Sequence, residues 1–259
     1  MSDSEMEQIK KVAIHAAQDA GSILEKMYRD RVSYTMKNER DIISEADLES
    51  EKIILGHIRK QFPDHGILSE EQGESGSHEF RWIVDPLDGT INFAKGIDEF
   101  CVSIAVEHKE SVVFGCIFDP IRHNLYTAEK GCGAFLWEKP MKVSDEKQCI
   151  NSLLAMDNTS NIDARNKNFA LLSHACAAFR HIRIFGSSSL HLARIAEGSL
   201  DAYYKIKINY WDCAAGILLI QEAGGRVTDF SGKEVGAAPR NIIASNGRIH
   251  NEVRDILNK

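Results

Sequence analysis

Three features of the sequence predict a fold of α/β or α+β layers. Two amphipathic helical patterns open the chain, a series of short apolar runs suited to strands follows, and helices and strands then alternate irregularly. A length of 259 residues is enough to bury a real core and is close to the size at which one core divides into two lobes.

The first helix is read from the helical spacing of Ile9, Val12, Ala13, Ala16, Ala17, Ile23 and Leu24, between Glu5 and about Tyr28. The second runs from about Glu45 to Lys60 with Leu48, Ile53, Ile54 and Ile58 apolar. Ser44 stands at its N-cap and Asp47 three residues on, as in a capping box. After Pro63 the strand candidates are Gly66 to Ser69, Phe80 to Val84, Phe100 to Glu107, Ser111 to Phe118 and Asn124 to Glu129, with the polar stretch from Glu71 to Ser77 as a mobile loop. Glycines and Pro140 between Gly131 and Ser144 mark the best boundary, dividing the chain into lobes of residues 1–138 and 139–259. Beyond it lie a strand from Ser152 to Met156, helices from about Asp163 to Ala178, Ser188 to Glu197 and Asp212 to Ala223, strands around Ile182, Ala202 and Ile243, and a last helix from about His250. No internal repeat is present.

With 43% hydrophobic and 27% charged residues the composition is that of an ordinary soluble globular protein. The net charge of -7 opposes a broad nucleic-acid-binding face and makes a small molecule the expected partner. No apolar run reaches the roughly 18 residues that span a bilayer, and the polar start from Met1 to Glu5 lacks a signal-peptide layout, so no membrane association and a cytoplasmic location are expected. Cys101, Cys116, Cys132, Cys149, Cys176 and Cys213 form no C-x-x-C pair and read as buried free thiols.

The segment Trp82-Ile83-Val84-Asp85-Pro86-Leu87-Asp88-Gly89-Thr90 carries the most chemical information. Its apolar run is a buried strand ending on Asp85, at the sheet edge where such folds place their sites. Pro86 fixes the backbone, Asp88 adds a second carboxylate, and Gly89 permits a close approach. Two carboxylates so close repel unless a cation lies between them, and hard oxygen ligands favour Mg²⁺, with the Leu87 carbonyl as a neutral ligand. Thr90 opens a short helix whose free amides would receive a phosphate. Taken alone, the pair of aspartates would equally suit a turn that caps this helix. Glu70-Glu71 ends the preceding strand and alone would read as a solvated acidic loop. Asp212, in Trp211-Asp212-Cys213-Ala214-Ala215-Gly216, alone would read as an N-cap.

Together these motifs resemble the inositol monophosphatase family of lithium-sensitive, magnesium-dependent phosphatases. The carriers are Glu70-Glu71, Asp85 to Thr90, Trp211 to Gly216 and Glu222-Ala223-Gly224-Gly225, in the family's order, and the likeness runs from the first helix to the last strand. The resemblance implies an α+β fold, a layered α-β-α-β-α sandwich of the inositol monophosphatase / fructose-1,6-bisphosphatase type, and a homodimer. It implies two or three Mg²⁺ ions: one held by Glu70, Asp85 and the Leu87 carbonyl, a second by Asp85, Asp88 and Asp212, and a weaker third near Glu70. Asp47 and Thr90 match the pair that orients and deprotonates the attacking water, with Glu70 counted beside them as catalytic. Gly89 and Thr90 match the phosphate cradle.

Leu87, Asp88, Gly89, Thr90, Gly186, Ser187, Ser188, Lys205 and Asp212 make up the expected substrate contacts. Phe185-Gly186-Ser187-Ser188-Ser189-Leu190 resembles the segment whose backbone touches the leaving group, while His191 reads as helix surface or core. Inositol phosphatases of the family usually carry glutamate where this chain has Lys205, which can only donate hydrogen bonds; the reversed charge discriminates between a substrate with extra negative charge and, if Lys205 points to solvent, a broad specificity. The expected activity is hydrolysis of a small polyol or sugar phosphate, by default inositol 1-monophosphate. The alternatives are fructose 1,6-bisphosphate, phosphoadenosine phosphate or histidinol phosphate as substrate, or a non-catalytic, metal-binding regulatory role.

Overall fold

The computed structural model describes residues 2–31, 34–38 and 41–258. The chain begins with α1 (Asp3–Asp30), the antiparallel pair β1 (Tyr34–Asn38) and β2 (Asp41–Ser44), and α2 (Glu45–Gln61). Next come β3 (His65–Ser69), β4 (Gly73–Ser75), β5 (Ser77–Asp88), α3 (Thr90–Lys95), β6 (Cys101–His108), β7 (Ser111–Asp119), β8 (Asn124–Glu129), β9 (Gly133–Leu136) and β10 (Lys139–Pro140). The rest comprises β11 (Leu153–Met156), α4 (Ile162–Cys176), β12 (His181–Arg183), α5 (Ser188–Ala196), β13 (Ala202–Ile206), α6 (Ala214–Glu222), β14 (Arg226–Thr228), β15 (Asn241–Ser245) and α7 (His250–Leu257).

Eight strands form one sheet in the order β10-β9-β8-β7-β6-β5-β3-β4, and five form another in the order β12-β11-β13-β15-β14. Helices α1 and α2 cover one face of the large sheet; α5 and α6 lie between the two sheets; α4 and α7 close the outer face of the small sheet. The result is the five-layered α-β-α-β-α arrangement.

Strand periodicity explains how the large sheet serves two cores. Along β6, Val102, Ile104 and Val106 join the core under α1 and α2, while Cys101 and Ala105 join the core around α5 and α6. Helix α6 is buried from Ala214 to Ile220 because it is apolar on every side and has a sheet on each flank.

Several details depart from the sequence reading. The polar stretch after Ser69 contains β4, an edge strand paired antiparallel to β3, and its open faces explain why no apolar alternation marks it. The glycine-rich stretch after Gly131 supplies β9 and β10, which extend the large sheet. Asp212 does not cap α6: Cys213 holds that position. All six cysteines are free, but Cys132, in the turn after β8, and Cys176, at the end of α4, are exposed. No helix among the described residues is long and apolar enough to cross a membrane.

Candidate active site

Strands β3 and β5 run parallel with Ser69 opposite Val84, and the Glu70 amide donates to the Val84 carbonyl at 3.2 Å. The chain therefore delivers Glu70 and Asp85 side by side at one sheet edge. Past Val84, Asp85 faces Ser103 and Asp88 faces Cys101, so three steps of β5 oppose two of β6. This bulge turns the Asp-Pro-Leu-Asp backbone out of the pleat. Gly89 follows with φ of 98°, and a Cβ there would lie 2.7 Å from the Glu99 carbonyl oxygen; only glycine fits.

Helix α2 braces this turn from behind with three buried polar residues at helical spacing, Asp47, Ser50 and Glu51. Asp47 accepts from the Ser44 amide and hydroxyl, both at 2.7 Å, through Oδ2. Its Oδ1 lies 3.1 Å from the Thr90 hydroxyl, which is also 3.0 Å from the Leu87 carbonyl. One hydroxyl proton serves one acceptor at a time. Ser50 donates to the Pro86 carbonyl at 2.6 Å, and Glu51 accepts the Glu71 and Gln72 amides at 3.2 Å each.

The opposite side comes from α5 and the strands of the small sheet. Gly186, with φ of 85°, passes so close to Asn92 that a Cβ would lie 2.8 Å from its amide nitrogen, and Asn92 in turn donates to the Phe185 carbonyl at 2.7 Å. The first turn of α5 is thereby clamped to α3. From it, the Ser187 hydroxyl and the Ser189 amide donate to Asp88 Oδ2 at 2.7 and 2.6 Å. The Lys205 ammonium donates to Ser188 Oγ at 2.8 Å and lies 3.5 Å from Asp212 Oδ2. Beneath them, Asp157 accepts from His191 Nδ1 (3.0 Å), the Tyr203 hydroxyl (3.1 Å) and the Gly186 amide (2.9 Å). His191 is thus a buried core residue.

A cavity of about 360 Å³ opens where these parts meet. Glu70, Asp85, Leu87, Asp88, Gly89, Thr90, Gly186, Lys205 and Asp212 all line it. Asp47, Ser187 and Ser188 do not; they are buried and spend their side chains on Thr90, Asp88 and Lys205. The sequence reading missed Asn158, Thr159, Ser160, Arg165, Lys207 and Asn209, which complete the wall. No motif marks them. Ser50 and Glu51 could have been found, since they extend Asp47 into a polar stripe on an otherwise amphipathic helix.

Burial, then the charges of Glu70, Asp88 and Asp212, push the Asp85 carboxyl well above the usual range, against the opposing Leu87 amide. Burial and Asp212 push Asp88 up to about 6, although Lys205, Ser187 and Ser189 oppose them. Burial works against the Lys205 charge, but Asp212, Asp157 and Asp88 outweigh it and raise its pKa. Protein groups alone thus leave Asp85 and Asp88 short of positive charge.

Among the described residues no group of three or more His, Cys, Asp or Glu side chains is drawn together closely enough to hold a metal ion as they stand. The donor set nonetheless fits Mg²⁺, which keeps several waters and takes one or two carboxylates plus phosphate oxygens. Glu70, Asp85, Asp88, Asp212 and the Leu87 carbonyl offer oxygen donors at this corner, and a cation there would favour the ionised carboxylates that burial first and mutual repulsion second disfavour at Asp85 and Asp88.

The sequence profile of the inositol monophosphatase family matches residues 5–258. The chain belongs to the inositol monophosphatase family. Family relatives include the Nus factor SuhB of Pasteurella multocida, 36% identical over 260 residues, covering 96% of this chain and 94% of that one. The fructose-1,6-bisphosphatase/inositol-1-monophosphatase of Thermotoga maritima is 39% identical over 223 residues, covering 85% and 84%. The crystal structure of the extragenic suppressor protein suhB of Bartonella henselae superposes with a TM-score of 0.93 at 37% identity, covering 97% of this chain and 98% of that one. The layered fold is therefore the family's own.

Proposed function

We propose that the chain is a magnesium-dependent phosphomonoesterase that hydrolyses a small polyol or sugar phosphate, with inositol 1-monophosphate as the reference substrate. The observation that carries this reading is the convergence of Glu70, Asp85, Asp88, Asp212 and the Leu87 carbonyl region on one cavity, with the Asp47–Thr90 pair at its edge. In this reading Glu70, Asp85 and the Leu87 carbonyl hold one Mg²⁺, and Asp85, Asp88 and Asp212 a second. Ions held there would supply positive charge for the phosphoryl oxygens and for activating water.

The chain's own groups supply positioning and proton movement. The Thr90 hydroxyl accepts the proton of the attacking water while passing its own to Asp47 Oδ1, which Ser44 holds in place through Oδ2; the phosphorus–oxygen bond to the alcohol breaks, and the departing oxygen takes a proton from solvent. The Gly89 and Thr90 backbone, fixed by the glycine's close approach to Glu99, receives the phosphate. The buried Cys101 and Cys213 thiols lie near the carboxylates, and burial first and then those charges push both well above their usual range, so neither supplies a thiolate nucleophile.

Phosphate release from inositol 1-phosphate, fructose 1,6-bisphosphate, phosphoadenosine phosphate and histidinol phosphate, each with Mg²⁺, with chelator and with Li⁺, tests the reading. Magnesium-dependent release from at least one, inhibited by Li⁺, is expected; silence across the panel with Mg²⁺ bound would sink it. A second reading, a role in transcription, draws on the relatives named Nus factor. Specific capture of a transcription component by protein that releases no phosphate would favour that role.

A further inference from the structure

We propose that Arg165 and Lys207 form a subsite for a second phosphate group, so that the preferred substrate is a phosphate monoester whose leaving group is itself phosphorylated. The proposal deepens the phosphatase reading and rests on it for which phosphate is cleaved. The cavity is lined by four carboxylates, Glu70, Asp85, Asp88 and Asp212, and by three cations, Arg165, Lys205 and Lys207. Lys205 is committed within the protein: its ammonium bonds Ser188 and pairs with Asp212.

The other two cations are not committed. Among the described residues, neither Arg165 nor Lys207 has a carboxylate within ion-pair distance. Arg165, in the first turn of α4, donates through Nε to the Thr159 carbonyl at 3.0 Å, which ties its guanidinium to the Asn158–Ser160 wall. Lys207 follows β13 in the left-handed region, with φ of 61°, and its amide donates to the Arg240 carbonyl at 2.6 Å. A lysine in that conformation is uncommon, and here the backbone bond holds it at the cavity rim. Thr159, Ser160, Asn158 and Asn209 add hydroxyl and amide groups to the same wall. A dianionic phosphate matches two such cations with neutral donors around them, and a guanidinium can bind it bidentately. Lys205, the obvious discriminator in the sequence, is then a support for Asp212, and selection by charge falls to the two residues that no motif marks.

The test is calorimetric binding of fructose 1,6-bisphosphate and of inositol 1-phosphate, with Mg²⁺, to protein carrying Asp47→Asn to slow turnover. Arg165→Gln and Lys207→Gln are each introduced into that background. Each is expected to weaken bisphosphate binding about tenfold more than monophosphate binding, the scale of one charge-assisted contact, while Arg165→Lys retains part of the preference. Equal losses for both ligands, no loss for either, or no preference for the bisphosphate before substitution would overturn the subsite. Phosphate release by the unsubstituted protein is measured separately. If it is absent while the binding ratio responds as expected, the phosphatase reading fails and the subsite stands.

Discussion

On one wall of the cleft, Asp85 is 1% exposed and its neighbours are braced from behind by Ser50 and Glu51, whereas the facing wall carries the half-buried Arg165 in the first turn of α4 and the exposed Lys207 just past the end of β13. Asp85 and Asp88 sit on a bulged strand between two cores; the cations Arg165 and Lys207 reach in on long, flexible stems. Phosphoryl transfer tolerates little misplacement of the groups that hold metal and water, while recognition of a distant anion tolerates more. One wall is built for chemistry and the other for choice.

The sharpest break in that contrast is Asp85→Asn. It removes a ligand proposed for both metals, and with several kcal/mol of charge stabilisation at stake turnover is expected to fall about a thousandfold or more. The fold should survive, because the substitution also removes a buried, mutually repelling charge. In chelator the variant is expected to melt above the parent, and with Mg²⁺ to lose the stabilisation that ligand binding gives the parent. Near-normal turnover of the folded variant would show that the wall does not do the chemistry.

Thr90→Ala comes next. It leaves every proposed metal ligand in place but removes the hydroxyl between the water and Asp47, so kcat is expected to fall on the order of a hundredfold or more while Mg²⁺ affinity holds. Equal kcat would place the proton path elsewhere. Glu51→Ala tests the bracing itself. It strips an acceptor from the Glu71 and Gln72 amides, and at about 1 to 3 kcal/mol for groups left unpaired, Mg²⁺ affinity is expected to drop roughly tenfold. Glu51→Gln keeps an acceptor and should restore most of it; a rescue that fails would mean that Glu51 acts through its charge.

The same contrast decides what the sequence disclosed. Asp85 and Asp88 drew attention because a buried apolar strand runs straight into them, although alone they suited a capping turn equally, and Glu70 was read as a site residue only through the family resemblance. Asp47 was legible twice, as a capping-box partner and by resemblance. Arg165, Lys207 and Asn158–Ser160 were not, because they reach the cavity only through the packing of α4 on the small sheet and the place of β13 in the middle of that sheet, and separation along the chain carries no trace of that. Ser187 and Ser188 show the reverse case. Gly186 of their segment lines the cavity, but packing turns the two serine side chains inward to hold Asp88 and Lys205.

The two regions also answer acid with opposite signs. A carboxyl raised in the folded state, such as Asp88 at about 6, stabilises metal-free protein below its unfolded pKa and loses that contribution as pH rises through 6. His250 of α7 runs the other way. It is fully buried, and burial followed by the charges of Arg226 and Arg254 pushes it down to about 4. The Thr228 hydroxyl donates to the Asp229 carbonyl at 2.8 Å and so accepts from His250 Nε2, while Ser245 donates to Nδ1; the pocket suits a neutral ring. Above pH 6.5 the ring is neutral in both states and its contribution is complete. Below it the unfolded chain takes up a proton that the folded one refuses, so stability declines by about 1 kcal/mol per pH unit down to about pH 4. Denaturant melts of the parent and of His250→Gln in saturating Mg²⁺, which holds the carboxylate wall ionised, isolate this slope. A smaller slope in the variant assigns the acid sensitivity to the layer of α4 and α7, and equal slopes would return it to the carboxylates.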